Sequence, residues 1–156
     1  MNDRAAVLFV CLGNICRSPL AEAALRAEAA RAGFEVTVDS AGTAGWHVGR
    51  PPDRRARATA RRHEVDIDGH RARRVDVDDF HRFDHVVALD RDNLAALAAL
   101  RPAGAKARLS LLFDHVVGRE GEEVADPYHG PDEGFETTWA EVCEGARGLV
   151  RAIRGG

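Results

Sequence analysis

The stretch that decides the fold is VLFVCLGNICRSPLAEA, residues 7–23. Val7 to Val10 form a continuous apolar run, the pattern of a strand buried on both faces of a parallel sheet. Ser18 and Pro19 then read as an N-cap and a first-turn proline. The helix that follows carries Leu20, Ala21, Ala24 and Leu25 on its apolar side, with Gly33 as its stop. Between strand and helix lies a short polar loop with a thiol, Cys11, at one end and a guanidinium, Arg17, at the other.

The same alternation continues along the chain. Val36 to Val38 reads as a second strand, followed by a glycine-rich loop, and DRRARATARRH (53–63) as a helix. A short turn is expected around Val77 to His81. His85 to Leu89 reads as a third strand, Arg91 to Leu100 as a helix and Ala107 to Leu111 as a weaker fourth strand. GREGEEVADPYHGPDEG (118–134) is a long polar loop. The last helix, from about Asp132 to Arg154, carries Phe135, Trp139, Val142, Ala146, Leu149 and Ile153 on one stripe. Strands alternating with helices predict one α/β domain over residues 1–156, with a four-stranded parallel sheet flanked by helices on both faces. In such sheets sites form at the strand C-termini, where the opening loop sits.

Composition narrows the function classes. A chain of 156 residues, 45% hydrophobic and 30% charged, suits one compact domain that buries roughly two thirds of its unfolded surface. A net charge of -3 gives no general drive toward nucleic acid or membrane. The few residues before the first strand are too short for a signal peptide, and no stretch approaches transmembrane length. The three cysteines argue against a disulfide framework and leave room for reactive thiols. These features point to a cytoplasmic protein, expected to act as a monomer. The seven histidines show no zinc-ligand spacing, and no metal or other cofactor is expected.

Five residues separate Cys11 from Arg17, and the loop runs into a helix N-terminus. Backbone N–H groups and the positive end of the helix dipole make such a place an anion site suited to phosphate. Gly13 permits close backbone approach, and Arg17 offers a planar fork for two phosphate oxygens. The same field favours the thiolate of Cys11, and Ser18 is placed to hydrogen-bond the sulfur while capping the helix. A nucleophile beneath a bound phosphate is arranged for phosphoryl transfer to sulfur. A Cys–Arg pair at this spacing is weak alone in so arginine-rich a chain; strand, loop, Arg-Ser-Pro and helix in order give it meaning. Other nucleotide loops fit worse, since the first strand is followed neither by G-x-G-x-x-G nor by a Walker-type loop.

VCLGNICRSPLAEA resembles the signature of the low-molecular-weight protein tyrosine phosphatases. The likeness continues in DSAGTAGWHVGRPPD (39–53), ALDRDNL (88–94), ADPYHG (125–130) and FETTW (135–139), covering essentially the whole chain. It implies metal-free hydrolysis of phosphotyrosine in protein substrates through a phosphocysteine intermediate. Cys11 is then the nucleophile, Arg17 the oxyanion binder and Asp126 the general acid. Physical chemistry supports Asp126: a leaving oxygen needs a proton, and Pro127 biases the residue before it to an extended conformation. Glu122 and Glu123 nearby are expected to help keep it protonated. The resemblance further implies that Asn14, Ser40 and His70 hold the loop in shape, with Asn14 left-handed. Trp46, Tyr128 and Leu12 look like walls for a phenyl ring, with Ile15 and Cys16 lining the loop. The same resemblance implies that Cys16 can pair reversibly with Cys11 under oxidation, while the residue read alone is equally a small side chain buried in the loop. His129 departs from the family, which often has a second aromatic there.

Three other readings stand beside this one. A protein arginine phosphatase usually has Thr where this chain has Ile15, and an apolar β-branched residue favours an aryl ester over a guanidino group. An arsenate reductase on the same fold needs further cysteines downstream, where only Cys143 lies, on the apolar stripe of the last helix. A silent phosphopeptide-binding module would not need nucleophile, arginine and acid together. Arg50, Arg54, Arg55, Arg57, Arg61 and Arg62 read as a solvated helix face able to steer acidic peptides.

Overall fold

The computed structural model describes residues 4–155. Its first strand, β1 (Ala5–Cys11), is followed by α1 (Arg17–Ala32), β2 (Val36–Gly42), α2 (Arg54–Arg62) and α3 (Asp79–Arg82). Then come β3 (His85–Ala88), α4 (Arg91–Leu100), β4 (Arg108–Leu111), a 3₁₀ turn (Leu112–His115) and α5 (Gly134–Gly155). All strand pairs are parallel, in the order β2-β1-β3-β4. The chain passes from β1 to β2 on one side and returns to β3 on the other, so the connections diverge at the C-terminal end of β1. That divergence opens a crevice, and the Cys11–Arg17 loop occupies it.

Alternation along β1 builds two core layers. Val7 and Phe9 face Leu20 and Leu25 of α1 and Phe135, Val142 and Leu149 of α5. Leu8 and Val10 face Phe80, Phe83 and Leu97 beneath α3 and α4. Val7 to Val10 are all fully buried, each burial contributing about 1.5–3 kcal/mol. The predicted four-stranded sheet with helices on both faces is therefore the observed one. Gly33 ends α1 in the left-handed region (φ 79°). The Gly33 N–H donates to Ala30 and the Phe34 N–H to Ala29, the paired bonds of a Schellman stop.

Three boundaries differ from the sequence expectation. β2 runs on through Asp39 to Gly42, because Ser40, Ala41 and Gly42 pair in register with Phe9, Val10 and Cys11. Small residues carry no strand propensity, and sheet pairing overrides it. The expected turn near residue 80 is the short helix α3, held by Phe80 in the core. Ser18 is not the N-cap of α1: the helix begins at Arg17 after Cys16, and the Ser18 hydroxyl points to the loop.

At the opposite end of the sheet, the starts of β1, β3 and β4 border a cleft. There Arg4 and Ala5 stand near Ala152 and Ile153 of α5. Among the described residues no helix is long and apolar enough to cross a membrane.

Candidate active site

The loop after β1 takes its shape from Asn14, which is fully buried with φ 60°. Asn tolerates this left-handed conformation better than most residues. Its side-chain oxygen accepts from the Arg73 N–H (3.0 Å), which fixes the orientation of the amide. Its Nδ2 donates to Ser18 Oγ (2.8 Å) and Ser40 Oγ (3.0 Å). His70 Nε2 lies 3.2 Å from the same Asn14 oxygen and 3.3 Å from the Asn14 carbonyl, so the proton sits on Nε2. Asn14, Ser40 and His70, read as loop supports, are thus in contact, and His70 is half-buried rather than an exposed histidine.

These bonds lead to the sulfur. Because Ser18 Oγ accepts from Asn14, its own proton is free for Cys11 Sγ, 3.0 Å away. The Asn14 N–H also donates to the sulfur (3.3 Å). At the far end Ser40 Oγ donates to Glu22 (2.7 Å), a buried carboxylate paired with Arg26. Glu22 carries no motif in the sequence; its one signal there is a carboxylate on the apolar side of α1, which requires partners once buried.

Arg17 is 3% exposed. Its Nη1 donates to Asp90 Oδ2 (2.8 Å) and to the Val124 carbonyl (2.9 Å), and Nη2 stands 3.6 Å from Asp126 Oδ2. Burial works against the charge, but Cys11, the Asp90 hydrogen bond and Asp126 outweigh it and raise the guanidinium above its ordinary range. Asp90 was also unassigned from sequence. It caps α4 by accepting from the Asn93 N–H (2.7 Å) and holds Arg17 with its other oxygen.

β2 supports the loop from the side. Thr43 and Ala44 N–H groups donate to the Cys11 and Leu12 carbonyls (2.9 and 3.0 Å). Gly42 permits this approach, since a Cβ there would lie 2.8 Å from the Leu12 oxygen.

One pocket of about 140 Å³ collects Cys11, Leu12, Gly13, Ile15, Cys16 and Arg17 from the loop with Trp46, His47, Asp126, Tyr128 and His129 from facing segments. Leu12, Trp46 and Tyr128 are exposed, as walls of an open mouth rather than core. His47, not singled out from sequence, sits against Gly13, where a Cβ would meet its ring at 2.9 Å. Cys16 is buried; burial first, then the charges of Asp53 and Cys11, push its thiol up. Cys11 and Cys16 are both free, and Cys143 is half-buried at the edge of the core, its thiol pushed up to about 11 chiefly by burial.

Two expectations are corrected. Glu122 pairs with Arg119, and Glu123 accepts from the Arg91 N–H, so neither carboxylate is turned to Asp126; the charge beside it is Arg17. Of the arginines read as a solvated helix face, Arg61 and Arg62 are exposed and pair at the surface with Asp68 and Glu136, whereas Arg55 is half-buried and binds Asp53 and the loop after Asp126. No group of three or more His, Cys, Asp or Glu side chains suited to a metal occurs among the described residues.

Comparison with known proteins agrees with this geometry. The family model described as low molecular weight phosphotyrosine protein phosphatase matches residues 6–155. A low molecular weight protein-tyrosine-phosphatase of Streptomyces coelicolor is 45% identical over 153 residues, covering 95% of this chain and 93% of that protein. The crystal structure of YfkJ from Bacillus subtilis superposes with a TM-score of 0.90 at 36% identity, covering 99% of this chain and 97% of that one. A Drosophila arginine phosphatase structure superposes with a TM-score of 0.87 at 31% identity, covering 95% of this chain and 97% of that one. With its family match over residues 6–155 and a loop from Cys11 to Arg17 at the switch point of a parallel sheet, the chain belongs to the low molecular weight phosphotyrosine protein phosphatase family.

Proposed function

We propose that the protein is a protein tyrosine phosphatase that hydrolyses phosphotyrosine in protein substrates through a phosphocysteine on Cys11. The observation that carries this reading is that Cys11, Arg17 and Asp126 all border one pocket, with the Arg17 guanidinium 3.6 Å from the Asp126 carboxylate. The phosphoryl dianion sits in the loop against its backbone N–H groups and the N-terminus of α1, with its oxygens on the Arg17 fork. Trp46, Tyr128 and Leu12 flank the phenyl ring.

Cys11 thiolate attacks phosphorus opposite the ester oxygen. The S–P bond forms, the P–O bond to the ring breaks, and Asp126 gives its proton to the departing oxygen. Asp126, now ionised, takes a proton from water as that water attacks phosphorus. Inorganic phosphate leaves and Cys11 returns as thiolate. Ser18 steadies the thiolate in both steps by its hydrogen bond. Cys11 supplies the nucleophile, Asp126 the acid and base, and Arg17 and Ser18 the electrostatic support, so the reaction as written draws on no metal.

The test is hydrolysis of an aryl phosphate by wild type, Cys11→Ser and Asp126→Ala. Cys11→Ser abolishes turnover, and Asp126→Ala slows it by about 10²–10⁴-fold. Turnover by Cys11→Ser at the wild-type rate would overturn the mechanism.

Phosphoarginine is the second reading, favoured by the similarity to the Drosophila arginine phosphatase. Against it stands Ile15, a buried apolar side chain at the pocket. Phosphotyrosine and phosphoarginine peptides assayed side by side separate the two, and faster hydrolysis of phosphoarginine would reverse the assignment. We further propose that the protein acts in the cytoplasm, where thiols stay reduced, and as a monomer.

A further inference from the structure

We propose that Arg55 is a positioning residue for the acid, clamping the loop that carries Asp126 onto the phosphate loop. The proposal rests on the phosphatase reading above. Asp126 is an exposed side chain on a loop, and among the described residues its partner besides the Arg17 guanidinium is the Tyr128 N–H, two residues on in the same loop (3.1 Å). Its place is therefore set by whatever anchors the loop at either end.

The first anchor lies at Val124. Its N–H donates to the Leu89 carbonyl beyond β3 (2.8 Å), and its carbonyl accepts from Arg17 (2.9 Å). The second lies at Tyr128 and Gly130, whose carbonyls accept from Arg55 Nη2 (2.9 Å) and Nη1 (3.4 Å). Asp126 sits between two arginine-bound anchors.

Arg55 is itself held on both sides. Its Nε and Nη2 donate to the two oxygens of Asp53 (3.1 and 3.2 Å), and its plane lies over the Phe135 ring, 4.6 Å from the centroid. Asp53 caps α2 by accepting from the Arg55 N–H (2.8 Å), and its own N–H donates to the Ile15 carbonyl (2.9 Å). A continuous path thus runs from the phosphate loop through Asp53 and Arg55 to the acid loop. Only a planar fork with five donors serves a carboxylate and two carbonyls at once; an ammonium does not. With Nε and both terminal nitrogens engaged, Arg55 is not the free cation that steering of acidic peptides calls for.

The consequence is kinetic. Misplacing a catalytic group by about 1 Å costs as much as 10²-fold, and loss of the proton donor hurts most when the leaving oxygen is most basic. The experiment compares phenyl phosphate with a nitro-substituted aryl phosphate, whose phenolate leaves with little help. The enzymes are wild type, Arg55→Ala, Arg55→Lys, Asp126→Ala and the Arg55→Ala/Asp126→Ala double variant. The readout is kcat/KM, which reports the steps up to phosphocysteine.

The expected result is a loss of about 10- to 100-fold on phenyl phosphate in Arg55→Ala. The loss on the nitro-substituted ester is far smaller, and adding Arg55→Ala to Asp126→Ala costs almost nothing. Equal losses on both esters, or losses that multiply in the double variant, overturn the proposal. Arg55→Lys keeps charge and helix propensity but loses the fork, so it shows the same substrate-dependent loss and decides the matter if Arg55→Ala does not fold. A wild-type enzyme inactive on both esters overturns the phosphatase reading itself.

Discussion

Arg17 and Asp90, 73 residues apart in the chain, meet at 2.8 Å where β1 and β3 end side by side. One Asp90 oxygen receives Arg17 and the other the Asn93 N–H, so the carboxylate that starts α4 also aims the guanidinium. In the proposed mechanism this orients the fork before phosphate arrives, and little ordering remains to be done on binding.

Asp90→Asn removes the charge and keeps the shape. A hydrogen bond to a charged group is worth about 1.5–3 kcal/mol, so the inhibition constant for inorganic phosphate rises by at least about tenfold. Competitive inhibition by phosphate measures it, and an unchanged constant would mean that the Val124 carbonyl alone aims Arg17.

Asn14→Ala leaves Ser40, His70 and the Arg73 N–H short of a partner and puts alanine at φ 60°. The expected cost is about 2–4 kcal/mol of stability, with a larger loss of kcat/KM than of substrate affinity. Thermal melting and steady-state kinetics check both, and retention of full activity would show that the loop keeps its shape without Asn14.

Oxidation distinguishes the two thiols of the loop. In the proposed mechanism Cys11 is the reactive sulfur: peroxide converts it to a sulfenic acid, and the Cys16 thiol can displace water from that group to form a disulfide. Activity lost to mild peroxide then returns with dithiothreitol in wild type and stays lost in Cys16→Ala. Equal recovery in both proteins would remove Cys16 from the reaction.

His85 and His115, 6.3 Å apart by ring centroid, are both lowered below the ordinary value of 6.5. Burial is the chief cause; Arg108 adds to it at His85, and His85 adds to it at His115. A depressed histidine stays neutral in the folded chain, while the unfolded chain takes up the proton. Stability is therefore full above about pH 6.5 and falls as pH drops through the folded values. Melting temperatures at pH 7.5 and 5.5 test this: the double variant His85→Gln/His115→Gln shows a smaller drop than wild type. Parallel drops would assign the acid sensitivity elsewhere.

The sequence disclosed most where chemistry and local pattern coincide. The apolar run Val7–Val10, the Gly33 stop and the last-helix stripe are periodic or punctuated, and they stand as expected. The small residues Ser40, Ala41 and Gly42 were hidden because their strand is imposed by pairing with β1. Glu22, Asp90 and Arg55 were hidden for a related reason: each acts through a partner more than ten residues away, and spacing along the chain carries no trace of such meetings. Arg55 was misread as one of a solvated set because charge on a helix is ordinarily exposed. Glu122 and Glu123 illustrate the converse, neighbours in sequence to Asp126 whose side chains turn to other partners.

The cleft where Arg4 and Ala5 stand near Ala152 and Ile153 lies at the end of the sheet away from the phosphate loop. A glycine–serine linker long enough to span that cleft would join the two ends of the described chain. New ends opened beside Val117, which is 93% exposed, would then give a circular permutant. In it Cys11 and Asp126 exchange their order along the polypeptide while the loop, its supports and the acid keep their places in space.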